Sequence, residues 1–101
     1  MSEPRVYSTR FIAGTTPTGG LTYVVPALHR AVLKFVDIVP TTGGSTSIGI
    51  SVAGVAIVYT AISQGDWRWE GMQVLYAGEA LVIGATPAAY AVASGYLFSD
   101  P

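Results

Sequence analysis

The sequence contains no cysteine and very few charged residues. Of its 101 residues, 11% are charged and 50% are hydrophobic, whereas a typical domain carries about 25% charged residues. The absence of cysteine excludes disulfides and thiolate metal sites. The net charge is −1 and the five Lys and Arg residues are scattered along the chain. We therefore expect no nucleic-acid partner, because neutralising phosphates requires clustered cations.

The longest stretch without charge is Ile38–Gly65. Within it Ile48, Ile50 and Val52 alternate with small residues, and a similar alternation follows Gly54. This pattern predicts a hairpin of two strands, with a tight turn at Ala53–Gly54, that is buried on at least one face and is expected to be buried on both. A chain with so little charge has two ways to stay in solution. Either Gly, Ser and Thr keep its surface polar, or other subunits cover the surplus apolar area.

Short runs rich in Val, Ile, Tyr, Thr and Phe alternate with turns rich in Gly, Pro, Ser and Thr, and no window shows a capped helical period. The runs predict strands at Arg5–Ile12, Leu21–Val25, Arg30–Val39, Thr46–Ala53, Val55–Ile62, Trp67–Leu75, Ala80–Ala85 and Tyr90–Phe98. Turns at this spacing are typical of an antiparallel sandwich or a small barrel. We predict an all-β, antiparallel two-sheet sandwich of seven or eight short strands with a jelly-roll-like topology.

The first 20 residues differ in composition from the remainder. Arg5 and Arg10 flank a short strand, and a Gly/Thr/Pro stretch from Gly14 to Gly20 follows it. We therefore divide the chain into an N-terminal strand or arm with a flexible loop, residues 1–20, and a sandwich, residues 21–101. A strand on a pliable tether can add to the sheet edge of an adjacent subunit. The alternative is that it forms the first strand of its own sandwich.

The most individual segment is Asp66–Glu70. On a strand Trp67 and Trp69 share one face, while Arg68 shares the other face with the two flanking carboxylates. The tryptophans would plug the core, anchor a subunit interface, where Trp is favoured, or form a platform for sugar rings. The residues predicted as interface candidates are Arg5, Arg10, Trp67, Arg68 and Trp69.

No arrangement of residues predicts catalysis, a cofactor or a metal site. His29 is the single histidine, and metal sites need several converging ligands. The carboxylates that could converge are Asp66, Glu70 and Glu79, but a glycosidase needs two of them held in a cleft. We expect a protein that is not an enzyme. Gly78-Glu79 is expected to end a turn, with the Glu79 carboxylate either capping backbone N–H groups or facing solvent.

Neither a membrane span nor a signal peptide is expected. The apolar stretch Ser47–Ile62 is shorter than the roughly 20 residues that a spanning helix needs. The start of the chain, Met1–Arg5, is polar and has no apolar core of the kind that signal peptides carry. We therefore expect synthesis in a cytoplasm without export.

Three segments together resemble a known group of proteins. They are Tyr23-Val-Val-Pro-Ala27 before the long strand at Arg30–Val39, the turn region Tyr76–Val82, and the terminal strand Ala91–Phe98 with its Ser-Gly-Tyr sequence. This series resembles the small β-sandwich virion proteins of tailed bacteriophages. In those proteins a Val-Pro-Ala turn leads into a core strand, a Gly-Glu turn precedes a late strand, and a Ser-Gly-Tyr strand closes the sheet. The resemblance covers roughly Leu21–Phe98.

The resemblance implies a non-enzymatic structural subunit of a bacteriophage virion, either a capsid decoration protein or a head–tail or tail-associated protein. Such a subunit is made in the host cytoplasm, is located in the virion, and contacts copies of itself and larger virion proteins. The alternative hypothesis is a small carbohydrate-binding module that uses Trp67 and Trp69, with a host-surface glycan as its partner.

Overall fold

A computed structural model describes residues 5–41, 43–63 and 65–99, and these residues form strands without any helix. The strands are β1 (Arg5–Thr15), β2 (Leu21–Val24), β3 (His29–Pro40), β4 (Thr46–Val52), β5 (Val55–Ile62), β6 (Trp67–Tyr76), β7 (Ala80–Thr86) and β8 (Ala89–Ser99). The predicted strands are confirmed. The largest difference is that β1 continues to Thr15 instead of ending at Ile12. With no helix described, no helical segment here is able to cross a membrane.

The strands pair as a long hairpin that is folded onto itself. β1 pairs with β8, β2 with β7, β3 with β6 and β4 with β5, and each pair is antiparallel. β8 also pairs with β3, and β7 also pairs with β4. Two four-stranded sheets result: sheet A has the order β1-β8-β3-β6, and sheet B has the order β2-β7-β4-β5. This strand order is that of a jelly roll, so the predicted two-sheet sandwich is confirmed.

The core lies between the two sheets and is filled by alternate residues of each strand. Sheet B supplies large side chains from β4 and β7, and sheet A supplies large side chains from β3. The large buried hydrophobic side chains of these three strands are Ile48, Ile50, Val52, Leu81, Ile83, Leu33, Val36 and Ile38. Burying a Leu, Ile or Val side chain contributes roughly 1.5–3 kcal/mol, so these strands supply most of the driving force for closing the sandwich.

Sheet A contains two β-bulges that lie opposite the same part of β8. The register with β8 shifts at Phe11 on β1 and at Lys34 on β3, while β8 itself is continuous there. A β-bulge inserts one extra residue into a strand, which changes the direction of a neighbouring side chain and increases the local twist. Phe11 is thereby buried, and its ring centroid lies 4.9 Å from that of Tyr23. Burial in this contact raises the pKa of the Tyr23 phenol.

Two predicted turns are confirmed. Ala53 and Gly54 have φ angles of 52° and 82°, which is the positive pair required by a two-residue type I′ hairpin between β4 and β5. Glu79 caps the turn before β7, because its Oε1 accepts a 2.6 Å hydrogen bond from the Tyr76 N–H. The hairpin is buried on one face, where β4 contributes Ile48, Ile50 and Val52 to the core, but it is not buried on both faces within one chain. Most of β5 is exposed, because this strand forms the edge of sheet B.

The N-terminal strand lies in the chain's own sheet A, along the whole length of β8. Phe11 and Ile12 are buried in the core. Thr16 then ties the following loop to β8, since its N–H donates to the Ala89 carbonyl at 2.8 Å and its Oγ1 accepts from the Ala89 N–H at 3.0 Å. This geometry agrees with the alternative in which the N-terminal segment is the first strand of its own sandwich. A contact between the free edge of β1 and an adjacent subunit stays a prediction, and residues 1–4 lie outside the described part of the chain.

We expect Gly95→Ala to destabilise the protein by about 1–3 kcal/mol, as overpacking of a core does. The bulge at Lys34 brings the main chain of β3 against β8, and a Cβ at Gly95 would collide with the Val32 carbonyl oxygen. Gly84→Ala is the matched control, because nothing lies within 4 Å of a Cβ placed there, and its effect should be about 0.5 kcal/mol or less. Denaturant unfolding measures both changes. Equal stability of the two variants would contradict the close approach.

Candidate interaction surface

The outer face of sheet A carries an unusual number of exposed apolar side chains. The strand register places one side chain from each strand in rows across this face. Its exposed apolar members are Val6, Phe35, Val39, Val74, Tyr76, Tyr90, Val92 and Tyr96, with exposed fractions between 37% and 58%. Monomeric proteins seldom expose contiguous apolar patches of large area unless another molecule binds there. We call this set the sheet A face.

The inner strand β8 contributes strongly to this exposure, because along Ala89–Ala93 its small residues point inward and its larger residues point outward. Ala89, Ala91 and Ala93 are at most 1% exposed. On the opposite side, Tyr90 is 55% exposed and Tyr96 is 42% exposed. An ordinary sandwich strand shows the reverse arrangement, with large apolar residues in the core and polar residues outside. Tyr90 and Tyr96 of β8 therefore lie on the surface and do not contribute to the core.

A polar belt crosses the middle of the sheet A face. Arg10, Ser94, Phe35 and Glu70 occupy one row on four adjacent strands. A shallow depression of about 400 Å³ lies in this belt and is lined by Arg10, Lys34 and Ser94 among others. The belt has Arg10 on the edge strand β1, Lys34 on the inner strand β3 and the Glu70 carboxylate on the edge strand β6. A partner with complementary charges would bind this face in one defined register, because charges across an interface fix how two surfaces align.

Arg68 is held at the β6 edge of this face by two carboxylates. Its Nε donates to Asp37 Oδ1 at 2.6 Å, its Nη2 donates to Asp37 Oδ2 at 3.2 Å, and its Nη1 donates to Glu70 Oε1 at 3.3 Å. The hydrogen bonds with Asp37, and then those with Glu70, raise the pKa of Arg68 above its ordinary value. The guanidinium carbon also lies 5.1 Å from the centroid of the Phe35 ring. The arginine is therefore fixed in orientation although it is exposed.

Trp67 and Trp69 lie on the opposite face of β6 from Arg68. Both are half-buried and pack against the core cluster, where they lie beside Ile38 and Val36 of β3. The ring of Trp69 covers Gly71, since a Cβ at Gly71 would stand 2.8 Å from Trp69 Cζ2. This packing favours the core position for both rings, and a contact between their partly exposed surfaces and a partner stays a prediction.

The five predicted interface residues thus separate into two groups. Arg10 and Arg68 are exposed and lie on or beside the sheet A face, whereas Trp67 and Trp69 face the core. The backbone of Arg5 pairs with Ser99, and its side chain lies outside what the structure describes. A contact between any of these residues and a partner stays a prediction.

The ionisable groups considered for catalysis are dispersed. His29 Nδ1 lies 2.7 Å from the Ala27 carbonyl oxygen, Glu70 holds Arg68, and Glu79 caps its turn. Among residues 5–41, 43–63 and 65–99, no three His, Asp or Glu side chains form a group that could hold a metal ion.

Sequence reasoning missed Asp37 and the aromatic residues of β8. Asp37 lies 31 residues before Arg68, so only the strand register reveals the pair. The signal for β8 was present in the sequence, because Ala89, Ala91 and Ala93 alternate with Tyr90 and Val92. Both alternating sets are apolar, and in such a strand the set of smaller side chains is the one that fits a crowded core.

The fold is similar to that of a chain in the crystal structure of the T13 IBDV viral particle. The TM-score is 0.52 at 12% sequence identity, and the match covers 98% of this chain and 32% of that chain. This chain therefore spans about a third of the length of the chain it matches, and the likeness at this identity is one of fold. No protein-family model and no curated protein sequence matches the chain. The resemblance to proteins of tailed bacteriophages stays a prediction from the sequence.

We expect the tryptophan fluorescence to be blue-shifted and unchanged by added neutral polysaccharides, because both indole rings pack against the core. Trp69→Ala should destabilise the protein by about 2–4 kcal/mol, near the lower part of the range for large-to-small changes in a core. Met72→Ala is the control on the same strand, since Met72 is 63% exposed, and it should change stability little. Red-shifted emission that responds to a polysaccharide would contradict the core position.

Proposed function

We propose that the protein is a non-enzymatic structural subunit of a bacteriophage virion, either a capsid decoration protein or a head–tail or tail-associated protein. It acts through protein–protein contacts within an oligomeric assembly. The observation that carries the proposal is the sheet A face. On this surface β8 exposes Tyr90 and Tyr96, whereas its buried residues over the same part of the strand are Ala89, Ala91 and Ala93.

The chemistry of the sheet A face is that of a protein interface. Tyrosine and arginine are enriched at such interfaces and often dominate the binding energy. Here Tyr90 and Tyr96 stand on the central strand of the sheet, with Arg10 and Arg68 at the two sides. Strands of 10–12 residues make sheet A longer than sheet B, whose strands have 4–8 residues. The surface offered to a partner is correspondingly large.

The structural neighbour supports a role in a virion. The jelly roll is an architecture of viral capsid domains, although lectins and cupins share it. The chain matched here comes from a viral particle, and nearly the whole of the present chain superposes on part of it. The three sequence segments that resemble proteins of tailed bacteriophages add the more specific assignment. Neither a nucleic acid nor a membrane is part of the proposal, because the cations are few and dispersed over the surface.

The carbohydrate-binding alternative depended on Trp67 and Trp69. Both rings pack against the core cluster, which leaves less indole surface for a sugar to stack on and so favours the structural role. We therefore propose that recognition is of protein, with copies of the chain and larger virion proteins as its partners.

The proposal predicts that the protein remains with virions through gradient purification. An antibody against the chain should label the particles of the phage that encodes it, and particles made without the gene should not be labelled. A protein that stays in the soluble fraction of the lysate and is absent from purified particles would contradict the proposed role.

Tyr90→Lys should abolish binding of the purified protein to particles that lack it, because it places a charge in the apolar part of the sheet A face. Thr22→Lys is the matched control, since Thr22 is an exposed strand residue on the outer face of sheet B. Both variants should unfold at the same denaturant concentration as the unsubstituted protein. Full binding by Tyr90→Lys would show that another surface makes the contact.

A further inference from the structure

Over Val58–Ile62, beyond a bulge at Ile57, the edge strand β5 lacks the features that normally protect a sheet edge. It is the last strand of sheet B and pairs only with β4, so one row of its backbone N–H and C=O groups has no strand partner in the chain. Its eight residues, Val55–Ile62, contain no charge, no proline and no glycine. Natural edge strands are usually short, charged or interrupted, because such an edge is a template for another strand.

The other three edges in the described sheets are protected. β2 has only 4 residues. β1 carries Arg10 and is bulged at Phe11. β6 carries Arg68 and Glu70, and its register with β3 shifts nearby. The contrast identifies β5 as the edge that is suited to accept a strand.

The regular part of β5 is complementary to itself. The register with β4 shifts at Ile57, so the continuous ladder runs over Val58–Ile62. A two-fold axis through Thr60 would pair this segment with the same segment of a second copy in the antiparallel direction, as a closed dimer requires. Val58 would then lie opposite Ile62 of the second copy, and Thr60 would lie opposite Thr60. Cross-strand Thr–Thr and apolar pairs stabilise sheets, and no like charges oppose each other here.

The outer face of sheet B has room for the largest side chain in this arrangement. Tyr59 is 87% exposed, and in the same register it would lie opposite Ala61 of the second copy. Ala61 is next to Ser47 on β4, at the rim of an uncharged groove of about 600 Å³ whose floor is formed by Gly49 and Gly84. A large residue thus faces a small one, beside a groove that can take an aromatic ring.

We propose that two copies of the chain associate through antiparallel pairing of their β5 strands about Thr60, which joins the two B sheets into one eight-stranded sheet. This inference deepens the proposed assembly function and rests on it for its biological purpose. Its test uses the purified protein alone, so β5 pairing can fail while virion binding stands, and the reverse also holds.

The absence of cysteine from the chain allows a clean cross-linking test. Directly opposed residues in an antiparallel pair are close enough for a disulfide. Under mild oxidation Thr60→Cys should form a covalent dimer. Tyr59→Cys mixed with Ala61→Cys should form the mixed dimer in preference to either homodimer. Thr22→Cys, which replaces an exposed threonine on the opposite edge of the same sheet, should remain monomeric.

A charge variant provides the second measurement. Thr60→Lys should weaken dimerisation in sedimentation equilibrium by about tenfold or more, since like charges would oppose each other across the axis. Thr22→Lys should leave dimerisation unchanged, and hydrogen exchange of the β5 amides should slow as the concentration of unsubstituted protein rises. Cross-linking of Tyr59→Cys alone but not of Thr60→Cys would overturn the proposed register. A protein that stays monomeric, with β5 exchange independent of concentration, would overturn the pairing itself.

Discussion

The close packing of β8 against its neighbours is the constraint on which the rest of the structure depends. β8 is a central strand of sheet A, and the main chain of β3 approaches it so closely at Gly95 that no Cβ fits. The residues that precede Gly95 on the same inner side are three alanines. Large side chains from β4 and β7 fill the space opposite these small residues. The core therefore depends on small residues in β8 as much as on large residues in β4 and β7.

The same constraint determines where the proposed binding surface lies. Between Ala89 and Gly95 the inner side of β8 has room only for small residues, and the strand carries Tyr90, Val92 and Tyr96 on its outer side. In the proposed assembly the sheet A face provides side-chain recognition, whereas the free edge of β5 provides main-chain recognition. Neither mode needs many charges. The low charge content of the sequence is thus consistent with two surfaces that are suited to contacts with other proteins.

Much of the fold could be predicted from the sequence, because turn residues and β-branched runs mark the limits of each strand. The β5 bounds, the Ala53–Gly54 hairpin and the Glu79 cap were all predicted from local chemistry. Features that depend on register were not predicted. The Asp37–Arg68 pair requires β3 and β6 to be adjacent, and the burial of Phe11 requires a bulge whose position no local signal gives. The inward direction of the alanines on β8 was ambiguous, because both alternating sets of residues in that strand are apolar.

The order of the strands also has a consequence for how the chain acquires its structure. Of the four nested pairs, only β4–β5 joins strands that are close in sequence, while β1 must find β8 across almost the whole chain. Domains dominated by such distant pairings fold slowly, on a scale of milliseconds to seconds. The central strands β7 and β8 are also the last two in chain order. During synthesis neither sheet can close until these strands leave the ribosome. The uncharged edge of the β4–β5 hairpin therefore stays exposed until β7 and β8 have been made.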